Sequence, residues 1–217
     1  MNMTMNAALG LTRWISGFAL ALTATFATAQ ITAGQDYNVI NPPQATESPG
    51  KVEVTEFFWY GCPHCYALEG PLEAWIKKLP ADVAFKRVPA MFNEQWGVAG
   101  RVHYTLDAMK QLDRLHKPLF DAIQKDNLRV TSESAIADWV AKNGIDAAEF
   151  KKVSRSFSVE SRLRRAIQLT ESYKFDGVPA IAVNGRYVAL SSQAKSHERM
   201  LDTVDKLIDM ARKEIKK

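Results

Sequence analysis

The sequence predicts an α/β fold in which a mixed central sheet is interrupted by an inserted helical subdomain. Three observations predict it. A strand–helix–strand pattern covers residues 52–88, helical periodicity then holds over 95–174, and a strand–strand–helix pattern closes the chain. A sheet whose strands are separated by so long a helical stretch implies an insertion into a smaller α/β unit.

Residues 1–29 read as a leader outside the fold. Arg13 is their only charged residue, an apolar run extends from Trp14 to Phe26, and Ala27-Thr28-Ala29 has the small-x-small cleavage pattern. Cleavage is expected near Ala29–Gln30. The run is too short and too rich in Ala and Thr for a secure membrane span, so the remaining chain is expected to be soluble and exported.

The first part of the α/β unit is expected over residues 30–94. Val52-Glu53-Val54-Thr55-Glu56-Phe57-Phe58-Trp59 is β-branched and aromatic and follows the Pro49-Gly50 turn signal, as a strand would. Gly61 ends it. Pro63 suits the first turn of a helix, where its missing N–H would have no partner anyway. Leu68, Leu72, Trp75, Ile76 and Leu79 keep helical spacing up to Pro80, with a kink expected at Pro71. Val83-Ala84-Phe85-Lys86-Arg87-Val88 reads as the next strand.

The helical subdomain is expected over residues 95–174. Val98, Val102, Leu106 and Met109 form one stripe and Leu115, Leu119 and Ile123 another, with Pro118 marking a break or kink between them. Ile136, Trp139 and Val140 start a helix that Asn143-Gly144 can close. Asp146 can cap the next, which carries Phe150 and Val153, and Leu163, Ile167 and Leu169 lie on a further one. These stripes read as ordinary core faces. The second part of the α/β unit then covers residues 175–217. Ala180–Val183 and Arg186–Ala189 flank Asn184-Gly185, a strong hairpin signal. A last helix, with Met200, Val204, Leu207 and Ile208 apolar, starts near Ser196.

Composition excludes several classes. Of the 217 residues, 47% are apolar and 24% charged, as in ordinary globular proteins, and the net charge is only +4. Bases are interleaved with acids, so no nucleic-acid footprint exists. The densest basic group, Arg162, Arg164 and Arg165, reads as a solvated helix face.

The chemistry lies in the two cysteines, Cys62 and Cys65. A bridge between them closes so short a loop that it constrains little of the unfolded chain, so stapling explains it poorly. Haem attachment needs His directly after the second cysteine, where Tyr66 stands. A structural zinc site needs two more ligands, yet there is no further Cys, and His103, His116 and His197 stand in no paired arrangement, so no metal site is expected. A redox dithiol at the start of a helix remains. Unpaired N–H groups and the positive end of the helix dipole stabilise a thiolate at Cys62, and His64 beside it adds to that. Cys65, one turn further in, is less exposed. Cys62 is therefore the attacking thiol and Cys65 the resolving one.

Phe57-Phe58-Trp59-Tyr60-Gly61-Cys62-Pro63-His64-Cys65-Tyr66 together with Gly177-Val178-Pro179-Ala180 resembles the DsbA family of bacterial periplasmic dithiol oxidases. The resemblance extends over the whole chain after the leader and implies a thioredoxin-like fold with a helical insertion. It further implies that Pro179 is a cis proline facing the disulfide and that Val178 offers backbone hydrogen bonds to a substrate peptide. Glu56 matches a buried acid that assists proton transfer, with a basic partner on the neighbouring strand. Arg87 is the choice for that partner, because it shares strand parity with Val83 and Phe85, and Lys86 is the alternative.

The activity implied is oxidation of dithiols in newly exported proteins, in the periplasm, by exchange through a Cys62–Cys65 disulfide and with no other cofactor. Its partners would be unfolded or folding proteins with reduced cysteines and a DsbB-type membrane quinone reductase for reoxidation. The chain would act as a monomer. Two other readings differ in kind. A disulfide reductase or isomerase shares the chemistry, but periplasmic isomerases carry an N-terminal dimerisation domain and only residues 30–51 lie before the first strand here. A peptide-binding chaperone would hold its clients without using the dithiol.

Overall fold

The computed structural model describes residues 30–129 and 131–215. The leader expected over residues 1–29 lies outside the described residues. Five strands form one sheet: β1 (Asn38–Val39), β2 (Val52–Phe58), β3 (Val83–Pro89), β4 (Ala180–Val183) and β5 (Tyr187–Leu190). Their order is β1-β5-β4-β2-β3, with β2 and β3 parallel and the other pairs antiparallel. The sheet is mixed, as expected. The two-residue edge strand β1 carried no sequence signal, because two residues are too few to show a period.

Helix α1 (Pro63–Ile76) crosses from β2 to β3, and α7 (His197–Ile215) follows the β4–β5 hairpin. Between β3 and β4 lie α2 (Glu94–Ala108), α3 (Leu112–Gln124), α4 (Glu133–Lys142), α5 (Ala147–Ser154) and α6 (Phe157–Ser172). Every residue of β2 is buried, which explains its nearly continuous apolar reading. Val52 and Val54 pack with Leu68, Leu72, Met200, Val204 and Leu207 from α1 and α7. Phe57 packs with Val159, Leu163, Ala166 and Leu169 from α6. A third core joins Phe58, Tyr60 and Cys65 to the inserted helices through Leu106, Leu119 and Phe120.

Local chemistry explains most boundaries. Asn93, Ser132, Asp146 and Ser156 cap α2, α4, α5 and α6 by accepting backbone N–H bonds. Gly144 ends α4 with φ +78°, and Asn184-Gly185 turns the hairpin with φ +50° and +68°. A side chain at Gly185 would also meet the Gln44 carbonyl, whose residue's N–H bonds back to Gly185.

Two expectations fail. The break between the first two inserted helices is not at Pro118, which lies inside α3. It falls at Lys110, left-handed with φ +57°, where Lys110 N–H bonds to Asp107 O and Gln111 N–H to Leu106 O. This is the two-bond helix stop that glycine usually provides, and lysine in that place hid it from the sequence. Ile167 does not join a core face: it is 40% exposed, while Leu163 and Leu169 are buried. Helix α1 continues through Pro71, and the hairpin's second strand begins one residue later than expected.

Lys110 is exposed and strained by its left-handed backbone. Lys110→Gly should therefore stabilise the protein by about 0.5–1 kcal/mol, whereas Lys110→Val should destabilise it. Urea midpoints of the two variants check both signs.

Candidate active site

The site begins where β2 hands over to α1. Cys62 is the N-cap of α1, with extended backbone (φ −90°, ψ 116°), and Pro63 occupies the first turn. The Cys65 backbone N–H donates to Cys62 Sγ at 3.4 Å. That first turn contains no acidic residue, so no carboxylate in it opposes a negative charge at Cys62. Both cysteines are free thiols in this structure, Cys62 9% exposed and Cys65 fully buried.

Their environments separate the two thiols. The Cys65 side chain hydrogen-bonds Cys62 and, with the N–H groups of Cys65 and His64 and the nearby His64 ring, lowers Cys62 to about 6 against the cost of partial burial. Burial pushes Cys65 far above the ordinary thiol range, and its Cys62 neighbour adds to that. One sulfur is a ready thiolate and a good leaving group, the other a poor one unless a proton reaches it.

The segment before β4 faces Cys62. The Val178–Pro179 peptide bond is cis, and the Cys62 thiol donates to the Val178 carbonyl at 3.4 Å. A second cis bond, Asn41–Pro42, lies in the N-terminal segment. His64 is exposed and, with Gly177, Val178, Leu190 and Met200, lines a cleft of about 730 Å³.

Beneath α1 the charges are paired across strands. Glu56 on β2 stands opposite Arg87 in the parallel register, and Arg87 Nε donates to Glu56 Oε2 at 3.1 Å. Lys86 points elsewhere, to Glu47 at 2.9 Å and Glu53 at 3.0 Å. Arg87 also meets Glu73 at 2.7 Å and Glu69 at 3.6 Å, both on α1. Burial raises Glu56 above the usual carboxylate range against the pull of Arg87. Glu69 is pushed up by burial too, but His116 and Arg87 outweigh that and hold it low. The sequence reading passed over Glu69, although it lies four residues after Cys65 on the same helix face. It also passed over Tyr60 and His116, which hydrogen-bond at 2.7 Å. His103 and His116, unpaired in sequence, meet at that tyrosine. Among the described residues, no group of three or more His, Cys, Asp or Glu could hold a metal ion.

Comparison with known proteins agrees with this geometry. Residues 53–205 match the family described as DSBA-like thioredoxin domain. The chain belongs to that family. It is 43% identical over 204 residues to a thiol:disulfide interchange protein DsbA of Bordetella parapertussis, covering 93% of this chain and 97% of the relative. It is 40% identical over 182 residues to a DsbA of Pseudomonas syringae pv. tomato, covering 84% and 85%. A crystal structure of Pseudomonas aeruginosa DsbA superposes with a TM-score of 0.82 at 38% identity, covering 86% of this chain and 97% of that one. The DsbA-like fold is thus a thioredoxin-like α/β fold with a mixed sheet, and this protein is a thiol:disulfide oxidoreductase.

Among the described residues, Arg87 is the cation bonded to buried Glu56. Arg87→Met should cost about 3 kcal/mol above neutral pH by leaving carboxylates buried without their counter-charge. The loss should shrink at pH 5: burial raises the Glu56 carboxyl, so its contribution is present below the unfolded value and lost as pH rises through the folded one. Urea unfolding at pH 5 and pH 8 measures it, and an equal loss at both would contradict the pairing.

Proposed function

We propose that the chain is a periplasmic dithiol oxidase, exported by a leader at residues 1–29, that introduces disulfide bonds into newly exported proteins. The observation that carries this direction is the contrast between a stabilised thiolate at Cys62 and a buried Cys65 whose thiolate is disfavoured. Stabilising the reduced form makes the disulfide form a stronger oxidant.

The reaction starts from the Cys62–Cys65 disulfide, the only redox group the chemistry needs. A client thiolate attacks Cys62 Sγ, the S–S bond breaks, and Cys65 leaves and takes a proton from Glu56. The second client thiol loses its proton to solvent and attacks the client sulfur of the mixed disulfide. Cys62 departs as the thiolate that the helix start favours. The client is oxidised by two electrons and the enzyme reduced by two.

Val178, next to buried Pro179, and exposed His64 line the cleft in which an extended client segment lies. Main-chain bonds to Val178 would make recognition tolerant of sequence, as an enzyme with many clients requires. Reoxidation by a DsbB-type membrane quinone reductase completes the cycle, and the enzyme acts as a monomer. Equilibrium titration against glutathione tests the direction. A potential near −270 mV, like that of thioredoxin, would mark a reductase instead.

Cys62→Ser should abolish client oxidation. Cys65→Ser should keep nucleophilic attack and accumulate mixed disulfides, visible by mass spectrometry of trapped complexes. Mixed disulfides formed through Cys65 in the Cys62→Ser protein would reverse the roles.

The lowered Cys62 value has a stability consequence. An unfolded cysteine titrates near about 8.5, so the thiolate's contribution to the reduced form is complete above that pH and lost as pH falls through about 6. The reduced protein should gain on the oxidised one by roughly 2 kcal/mol between pH 5 and pH 8.5, after discounting for solvent around the sulfur. Denaturant midpoints of both forms across that range, with thiolate absorbance, measure it. A pH-independent difference would remove the thiolate from the account.

A further inference from the structure

The inserted helices enclose a cavity that the dithiol chemistry has not used. It measures about 610 Å³, inside the range of roughly 300–1,000 Å³ in which small-molecule sites fall, and lies between α2, α4 and α5. Val98 and Val102 from α2, Ile136 and Ala137 from α4, and Ala147 and Phe150 from α5 supply its apolar lining. Val102, Ile136 and Phe150 are buried, and Val98 and Ala137 are half-buried. No residue of this lining also lines the cleft beside His64.

The polar groups of the cavity divide into a clamp and a rim. Arg101 on α2 donates through Nη1 to the Ser154 carbonyl at 2.8 Å and pairs with Glu160 on α6. Ser154 is buried in the last turn of α5, so this one guanidinium fixes the spacing of three helices. The hollow is therefore set by the fold before anything enters it. Lys151 and Arg155 stand four residues apart, on one face of α5 as it runs into its C-cap. Both line the cavity, both are exposed, and neither makes an ion pair among the described residues. Glu133 on α4 is the lining acid outside the clamp. With Arg101 and Glu160 neutralising each other, the lining presents two cations, Lys151 and Arg155, against one carboxylate.

We propose that this cavity binds a small amphipathic anion, with an apolar body, aromatic or branched, against the floor and a carboxylate held by Lys151 and Arg155. The two parts of the lining ask for different chemistry from one ligand. The floor gains from any apolar group that displaces water from it. The rim gains from a carboxylate, which arginine takes through two N–H bonds and lysine as a point charge. A neutral apolar molecule leaves both cations unused, and a positively charged one meets them as like charge. The site belongs to the insertion, and its floor residues Val102, Ile136 and Phe150 are part of the core that also buries Cys65.

The probes are phenylbutyrate, its neutral isostere phenylbutanamide and the cation phenylbutylamine. Protein labelled with carbon-13 in its Ala, Ile and Val methyl groups is titrated with each and followed by NMR. Phenylbutyrate should shift the methyls of Val98, Val102, Ile136 and Ala137 to saturation, with a Kd on the order of a millimolar for so small a molecule. Phenylbutanamide should bind about fivefold more weakly, and phenylbutylamine more weakly still. In a Lys151→Glu, Arg155→Glu double variant the order of the three probes should reverse; both positions are exposed, so folding does not depend on them. Ala147→Trp, which fills the cavity from an exposed position on its lining, should abolish the shifts. Shifts that never saturate, or that centre on Val178 and Ala194 of the dithiol cleft, overturn the proposal. So does an amide that binds as tightly as the carboxylate, an order of probes that the double variant leaves unchanged, or binding that persists in Ala147→Trp. The unsubstituted protein alone decides the preference for an anion, even if Ala147→Trp does not fold.

Discussion

The hydrogen bond from the Cys65 amide to Cys62 Sγ exists because α1 starts at Pro63, and the rest of the site is arranged around that start. Cys62 takes extended backbone as the N-cap, which turns its sulfur back over the first turn of the helix. There the sulfur meets N–H groups that no helix can satisfy internally. Proline contributes no competing N–H and holds the turn in shape. A thiolate away from a helix start would lack these donors.

Stabilising one sulfur is only half of a redox pair, and burial supplies the other half. Cys65 lies on the inner face of α1, under Phe58 and Tyr60 and against Leu106, Leu119 and Phe120 from the inserted helices. The insertion therefore shapes the chemistry, because an aqueous Cys65 would be an ordinary thiol. Polar contacts also tie the insertion to the redox helix and the loop before it, among them Tyr66 to Asp121 at 2.6 Å and Gln124 to the Tyr60 carbonyl at 2.8 Å.

Burying charge beneath a dithiol carries a cost that the structure offsets by pairing. Arg87 serves three carboxylates on two elements, and the parallel register of β2 and β3 sets it opposite Glu56. Burial pushes Glu56 toward its neutral form against the pull of Arg87. Glu56 is the raised member and Glu69 the lowered one.

The sequence by itself determined the parts whose signals are local. The run Val52–Phe58, the Gly61–Pro63 junction, the Cys62–Cys65 pair and the Asn184-Gly185 turn each carry their own conformational reason, so strand, helix start and hairpin were legible residue by residue. A basic partner for Glu56 came from the family resemblance, and strand parity favoured Arg87 while leaving Lys86 open; the register of β2 and β3 decided for Arg87. The helix stop at Lys110 was not, because packing imposed a left-handed backbone on a residue that gives no sign of it. Strand β1 was too short to announce itself, and Ile167 joined an apolar stripe that tertiary contacts left in solvent. Glu69, Tyr60, His103 and His116 come from α1, the loop before it, α2 and α3, and only the packing of the insertion against the redox helix brings them together. Side chains far apart in sequence acquire their proton affinities from the neighbours and burial that folding supplies, and no local pattern encodes those.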